Sequence, residues 1–200
     1  MKKWIYNLIA VCTLFALVGI AQAAYVSIHG PATVNKFKDP FFSVDFIIDS
    51  LELDKLDAFQ LEIGLAGTGG AVFTNTDLTS SNTDYVFYNI NDGYQTTLFN
   101  DDKSARIGDS TAVSGSFDDD PIGKLLARVE IDLNNANVGD VYGITLLNPA
   151  QNFLISPAYV LDSIQLSDTY NFQVVPIPGA FILLLSGLIG LIGFKRCRNQ

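Results

Sequence analysis

The chain holds few of the side chains on which enzymes most often build their chemistry. It has one histidine, His29, and two cysteines, Cys12 and Cys197, which both lie in the terminal segments. Zinc sites made of histidine and cysteine are therefore excluded from the central part of the chain. One histidine would suffice as the base of a Ser-His-Asp triad, but the chain has no Gly-x-Ser-x-Gly nucleophile elbow.

The tripeptide Gly108-Asp109-Ser110 resembles the nucleophile block of GDS-type esterases. That family keeps its histidine near the C-terminus, where this chain has none. We therefore interpret the tripeptide as a polar turn, and a hydrolase is the least favoured of three functional hypotheses.

The chain has so many carboxylates that the presence of a pair suited to glycoside hydrolysis is weak evidence for that activity. Asp45, Glu62 and Glu130 fall on the polar faces of predicted strands, where solvated positions are the rule. We expect no glycosidase.

Calcium is the ion that acidic loops suit best, because it prefers hard oxygen ligands. Three loops are candidates, although none has the spacing of an EF-hand, and ordinary solvated turns are the alternative. They supply Asp92, Asp101, Asp102, Asp118, Asp119 and Asp120 as candidate ligands. Calcium is the one cofactor that the sequence suggests.

Aromatic side chains near the middle of the chain could stack on sugar rings. Tyr85, Phe87, Tyr88 and Tyr94 cluster there. In a strand, Tyr85 and Phe87 would share one face and Tyr88 the other, so some of them must be core.

The segments that must position these residues alternate between apolar and polar with a period of two. This pattern predicts half-buried strands separated by Gly, Pro, Asn and Asp turns, and no central window predicts an amphipathic helix. About ten short strands favour an antiparallel β-sandwich. The predicted strands are 25–28, 42–48, 59–65, 85–89, 94–99, 112–117, 127–133, 141–146, 159–164 and 170–174.

Charge limits the partners of this central segment, which is one domain of about 150 residues. All 21 acidic residues lie between residues 24 and 174, against seven basic ones, an excess of 14 negative charges. Such a domain repels nucleic acid and anionic membrane surfaces.

The N-terminus predicts a secretory signal peptide over residues 1–23. Lys2 and Lys3 precede an uncharged apolar stretch, and Ala21-Gln22-Ala23 is a small-residue cleavage site. We expect signal peptidase to cut there, so that the mature chain begins at Ala24. A permanent anchor and a lipoprotein that uses Cys12 are the weaker alternatives.

The C-terminus, residues 175–200, combines three features. Val175-Pro176-Ile177-Pro178 breaks any preceding strand, residues 179–194 carry no charge, and a basic tail follows. The apolar run is slightly short for a bilayer, but flanking basic side chains can extend it, and the tail would stay cytoplasmic. An ordinary single-span anchor is the alternative interpretation.

These residues resemble the PEP-CTERM sorting signal, in its variant with V-P-x-P and a later S-G-L-x-G-L-x-G core at residues 186–193. The resemblance implies recognition by exosortase, a membrane protease, after transient anchoring by the C-terminal helix. The commoner motif has Glu between the prolines, where this chain has Ile177.

The central domain resembles cohesins. Leu56 to Ile63 is similar to an early cohesin strand, and Gly123 to Ile131 is similar to a later one. The resemblance implies a nine-stranded jelly roll, and cohesins bind dockerin modules.

The sequence therefore predicts an all-β, cohesin-like sandwich over residues 24–174, between an N-terminal signal helix and a C-terminal transmembrane helix. We expect a non-enzymatic protein, exported through the inner membrane to the cell surface or the extracellular matrix. Its role would be adhesion or association with exopolysaccharide in a biofilm. Expected partners are signal peptidase, exosortase and either exopolysaccharide or another surface protein. A secreted carbohydrate-binding module is the alternative.

Overall fold

The structure is a computed structural model, which describes residues 23–51, 55–112, 120–156 and 161–176. The predicted signal helix and transmembrane helix lie outside these residues. Within them, twelve strands are joined by turns and one short 3₁₀ turn at Pro149–Gln151. The strands are β1 (Ala23–His29), β2 (Thr33–Val34), β3 (Phe41–Ser50), β4 (Ala58–Ala66), β5 (Gly70–Phe73), β6 (Gln95–Phe99), β7 (Ser104–Ser110), β8 (Leu125–Asn135), β9 (Val141–Leu146), β10 (Phe153–Ile155), β11 (Leu161–Leu166) and β12 (Tyr170–Val174).

The strands form a sandwich of two layers, which confirms the predicted all-β fold. The front layer has the order β6-β7-β4-β9-β12-β2, and the back layer has the order β11-β1-β3-β8-β5. Strand β10 pairs with β4 on one side and with β11 on the other, and so joins the layers at one edge. Neighbouring strands are antiparallel except in the pairs β1–β11 and β2–β12.

The core lies between the layers because the apolar members of each alternating strand point inward. On β4 these are Phe59, Leu61, Ile63 and Leu65, each at most 5% exposed. Phe172 of β12 meets Phe42 of β3 edge to face, with ring centroids 4.8 Å apart. Aromatic pairs of this kind stabilise a core beyond the area that they bury.

The free edge of β8 is covered by an irregular segment that continues from β5. Thr74 N–H donates to Glu130 O (3.0 Å), and Val86 N–H donates to Leu125 O (3.0 Å). Between them, the Thr79 hydroxyl exchanges hydrogen bonds with the backbone of Arg128. These hydrogen bonds pair backbone N–H and C=O groups that would otherwise be exposed along the edge of β8.

Strand β4 pairs with two different strands along one of its edges, and this fork determines how the two layers join. The last residues of β4 pair with β9, whereas its first three residues pair with β10 on the same edge. Asn152, which is 1% exposed, sits where the two partners separate. Its Oδ1 accepts from Glu62 N–H (2.6 Å), its Nδ2 donates to Leu147 O and Asn148 O, and its carbonyl accepts from Ile164 N–H (3.1 Å).

Most predicted strands are confirmed, and several expectations are wrong. Instead of the predicted strand 85–89, Tyr85 forms an isolated β-bridge with Leu125 and residues 86–90 form turns. Residues 113–117 of the predicted strand 112–117 lie outside the described residues, and Ala112 belongs to no strand. The predicted polar turn Gly108-Asp109-Ser110 is the end of β7, a strand that the sequence prediction omitted along with β2, β5 and β10.

Asn152→Ala is expected to lower the free energy of unfolding by about 1–3 kcal/mol, because it removes the side-chain partner of the buried Glu62 N–H on β4 and of the carbonyl groups that follow β9. Chemical denaturation measures the loss. Asn171→Ala, an exposed asparagine on β12, is the matched control and should change stability by less than about 0.5 kcal/mol. Equal stability of the two variants would contradict the role of Asn152.

Candidate functional site

The outer surface of the front layer is a regular sheet face built from four paired strands. It is formed by the side chains that alternate with the core residues on β6, β7, β4 and β9. We call this surface the front face; it comprises Gln95, Thr97, Arg106, Gly108, Gln60, Glu62, Gly64 and Thr145. The register places Arg106 between Thr97 of β6 and Glu62 of β4.

Arg106 is the charged centre of the front face. Its Nε and Nη2 both donate to Glu62 Oε2, at 3.1 and 2.7 Å. The Glu62 side chain is only 9% exposed, whereas that of Arg106 is 49% exposed. The carboxylate therefore holds the guanidinium in place from below, while about half of the Arg106 side chain stays accessible. A planar guanidinium held in this way is suited to recognise carboxylate or carbonyl groups of a partner.

A polar cleft of about 330 Å³ lies beside Arg106 on the front face. Gln60, Gln95 and Thr97 line it together with Gly108. At Gly108 the backbone of β7 runs close to β4, because a Cβ at this position would lie 3.1 Å from Phe59 O. The Gln60 side chain is fixed by its Nε2, which donates to Gln151 Oε1 (2.7 Å).

Asp109 stands behind this cleft and has a structural role. It is 8% exposed, and its Oδ2 accepts a hydrogen bond of 2.6 Å from the Tyr85 hydroxyl. Its Oδ1 accepts from Ser110 N–H (2.7 Å). Burial raises the pKa of Asp109 above its usual range, and the hydrogen bonds from Tyr85 and Ser110 oppose that shift. The esterase-like tripeptide therefore anchors the 85–94 segment to β7.

His29 does not take part in a catalytic triad. The Ser27 hydroxyl donates its single proton to Asp49 Oδ1 (2.7 Å) and lies 2.9 Å from His29 Nε2. Because the Ser27 hydroxyl gives its proton to Asp49, its oxygen can only accept a hydrogen bond from His29 Nε2–H. Serine therefore lies between histidine and aspartate in this chain of hydrogen bonds. A triad needs the histidine in the middle, accepting the proton of the serine.

The three strand carboxylates considered for glycoside hydrolysis are each engaged in the fold. Asp45 forms a two-pronged ion pair with Arg128, at 2.5 and 2.6 Å. Glu62 holds Arg106, and Glu130 accepts from the hydroxyls of Thr74 and Thr76. None of these carboxylates faces another across a cleft as a glycosidase pair would.

The described calcium candidates do not come together. Asp92 lies at the open end of the β6–β7 hairpin, where its N–H donates to Ser110 O, whereas Asp101 and Asp102 form the turn at the other end. Asp120 precedes β8, and Asp118 and Asp119 lie outside the described residues. Among the residues that the structure describes, no three acidic, histidine or cysteine side chains form a group that could hold a metal ion.

The aromatic cluster is mainly core rather than a sugar platform. Tyr85 is 2% exposed and Phe87 is fully buried, and Tyr94 packs edge to face on Tyr85. Tyr88 is the one member of this set that is exposed, at 39%. The expectation that Tyr85 and Tyr88 face opposite sides of a strand is wrong, because this segment forms turns.

The two predicted processing sites border the sandwich. Ala23 and Ala24 open β1 and pair with Ser163 and Ile164 of β11, while Ala21 lies outside the described residues. At the other end, Val175 N–H donates to Val34 O (2.8 Å), and Pro176 follows at the surface. Ile177 and Pro178 lie outside the described residues. No helix among the described residues is long and apolar enough to span a membrane.

Comparison with solved structures identifies the architecture. The seventh type I cohesin of ScaB from Pseudobacteroides cellulosolvens is similar with a TM-score of 0.56 at 11% identity, over 78% of this chain and 94% of that one. A cohesin module of a family 33 glycoside hydrolase from Clostridium perfringens gives 0.54 at 11% identity, over 78% and 99%. The domain has a cohesin-like fold.

A third cohesin-like neighbour was solved with a partner. The third ScaC cohesin of Acetivibrio cellulolyticus, in complex with the ScaB dockerin, is similar with a TM-score of 0.52 at 14% identity, over 76% of this chain and 99% of that one. No protein-family model and no curated protein matches the sequence. At these identities the likeness establishes the fold.

Tyr85→Phe is expected to lower the free energy of unfolding by about 1–3 kcal/mol at neutral pH, because Asp109 loses a donor while it stays buried. Burial raises the folded-state pKa of Asp109, so protonation is favoured in the folded state and its ionisation lowers stability as the pH rises through that pKa. The deficit of the variant should therefore shrink on acidification. Denaturation at two pH values measures this.

The control is Tyr88→Phe, which removes a hydroxyl from the exposed neighbour and should be neutral. A deficit in Tyr85→Phe that grows on acidification would contradict the proposed role of the Asp109 carboxylate.

Proposed function

We propose that this is an exported, non-enzymatic binding protein of the cell surface or extracellular matrix, whose front face docks another protein. One observation carries the proposal: a rigid polar sheet face centred on Arg106, which is half exposed and held by Glu62. The cohesin-like fold supports it, because a cohesin of this fold was solved in complex with a dockerin. Adhesion within a biofilm matrix is the setting that we propose.

The choice of the front face rests on charge. On the back layer the outward-facing, partly buried strand residues include Asp45, Glu130 and Asp132, of which Asp45 is paired with Arg128. The front face instead combines neutral amides and hydroxyls with one accessible cation. In a domain with a large excess of negative charge, such a face is where an acidic surface protein can approach with least repulsion.

A non-enzymatic role is supported by the geometry of the candidate groups. The proton order around Ser27 is wrong for a triad, and the strand carboxylates hold cations or hydroxyls of the fold. Asp109 is occupied by Tyr85.

We further propose that residues 1–23 are a signal peptide, residues 24–174 the working domain and residues 175–200 a PEP-CTERM-type signal that exosortase removes. Strand β12 ends at Val174, and Val175 makes a hydrogen bond back to β2. A cut within the tail beyond Pro176 would therefore leave the hydrogen bonds of the described sandwich intact.

A second function, carbohydrate binding, is favoured by one observation, the polar cleft of about 330 Å³ beside Arg106. Amide, hydroxyl, guanidinium and carboxylate groups line it, and such groups bind sugar hydroxyls. Gln95→Ala would weaken binding of exopolysaccharide to this cleft, and calorimetry with polysaccharide from the source organism would detect it.

Site-specific cross-linking tests the docking of a protein on the front face. A photo-reactive residue in place of Thr97, beside Arg106, is expected to capture a surface or matrix protein in the source organism. The same probe in place of Ser43 on the back face is the control and should not capture that protein. Capture from both positions, or only from Ser43, would contradict the proposal.

Mass spectrometry of the protein from the source organism tests the processing. We expect the recovered chain to begin at Ala24 and to lack the apolar run and basic tail. Deletion of exosortase, or the double substitution Pro176→Ala and Pro178→Ala, should leave the tail in place and the protein in the membrane fraction. Recovery of an intact C-terminus on surface protein would refute the sorting proposal.

A further inference from the structure

Exposed apolar side chains surround the end of the sandwich from which the C-terminal tail leaves. Eight large hydrophobic side chains among the described residues are exposed, and four of them surround the last described residues. We call these four the exit rim; they are Phe37 (64% exposed), Phe41 (47%), Val138 (44%) and Val141 (57%).

Backbone contacts tie the exit rim to the departing chain. Gly139 N–H, next to Val138, donates to Val174 O (2.8 Å), and Val141 pairs with Gln173. Val34, three residues before Phe37, accepts from Val175 N–H. A crevice of about 410 Å³ separates Phe41 from Pro176. The rim therefore surrounds the point at which the tail begins.

Two of the seven basic residues of this acidic domain flank the most exposed aromatic ring of the rim. Lys36 Nζ donates to Asn134 O (3.1 Å) and lies 5.7 Å from the centroid of the Phe37 ring. Lys38 is 80% exposed and lies 3.8 Å from Asp39, a surface pair that water screens. An exposed aromatic ring between lysines matches the composition of membrane interfaces, where aromatic rings and basic side chains concentrate.

The distance to the apolar tail decides which partner fits. Two residues, 177 and 178, lie between Pro176 and the start of the uncharged run at Gly179, which allows at most about 10 Å of extended chain. A single α-helix with its side chains is about 10 Å wide, so no other protein layer fits between this end and a bilayer that holds the run.

We propose that the exit rim is a membrane-docking surface: while the tail is inserted, Phe37, Phe41, Val138 and Val141 rest in the lipid interface. This inference rests on the proposed membrane stage of the sorting signal. Docking fixes the strands upright on the bilayer, with β12 leading into the membrane. The front face then stands clear of the surface before the tail is removed.

Tryptophan quenching in vesicles tests the docking. The chain has one tryptophan, Trp4, so a Trp4→Phe background makes an introduced tryptophan the only probe. The full chain, produced in a host with signal peptidase but without exosortase, is reconstituted into vesicles of brominated phosphatidylcholine. Fluorescence of Phe37→Trp is expected to be quenched strongly, and Phe41→Trp provides a second probe if the first variant folds poorly.

The matched control is Tyr88→Trp, an exposed aromatic position at the other end of the strands. Tyr88 N–H donates to Tyr85 O, and Tyr85 forms an isolated β-bridge with Leu125 at the start of β8. Asp132, the β8 residue that pairs with Phe41, lies about 23 Å along the strand from Leu125. The fluorescence of Tyr88→Trp should be quenched several-fold less than that of Phe37→Trp.

The outcomes separate the two proposals. A chain that does not float with the vesicles overturns both the membrane stage and the docking. A chain that floats while both rim probes stay unquenched, or while Tyr88→Trp is quenched equally, overturns the docking alone. Rim probes shielded by a second copy, seen as a dimer with no lipid quenching, would also overturn it.

Discussion

The fork on β4 is the constraint on which the rest of the domain depends. One edge of this strand pairs with β7, while the other edge serves β9 and β10 in turn. Asn152 fills the gap between these two partners with hydrogen bonds to Glu62 of β4 and to the carbonyl groups that follow β9. Because β10 continues into β11 and the back layer, the same strand that carries the front face also closes the sandwich.

The front face inherits its rigidity from this arrangement. Every second residue of β4 is core, so Gln60, Glu62 and Gly64 are held in register with their neighbours on β7 and β9. Glu62 is therefore fixed beneath Arg106, and the cation needs no reorganisation to meet a partner. A preorganised face of this kind suits recognition, since less conformational entropy is lost on binding. A binding role also agrees with the state of the carboxylates Asp45, Glu62 and Glu130, because each of them binds a cation or a hydroxyl group of the fold.

The sequence predicts the long strands well, because β3, β4 and β8 alternate between apolar and polar residues over most of their length. Strand β7 escaped prediction because Gly108 interrupts its pattern and its buried Asp109 reads as polar. Tyr85 and Phe87 alternate like a strand, but they enter the core from a series of turns that tertiary packing stabilises. The front face was missed for a related reason: Arg106 and Glu62 are 44 residues apart, and only the register of β4 and β7 brings them together.

The first and last strands run in the same direction. Strand β1 begins beside Ser50 and Leu125, at the end of the sandwich opposite to the one where β12 finishes. The chain thus enters the domain at one pole and leaves it at the other. If both terminal segments of a precursor were held in the membrane, both poles of the domain would lie next to the bilayer. The strands would then have to run parallel to the membrane surface. If signal peptidase cut the proposed N-terminal segment first, the domain would be free to pivot upright, and the order of the two proposed cuts would then set the orientation of the molecule.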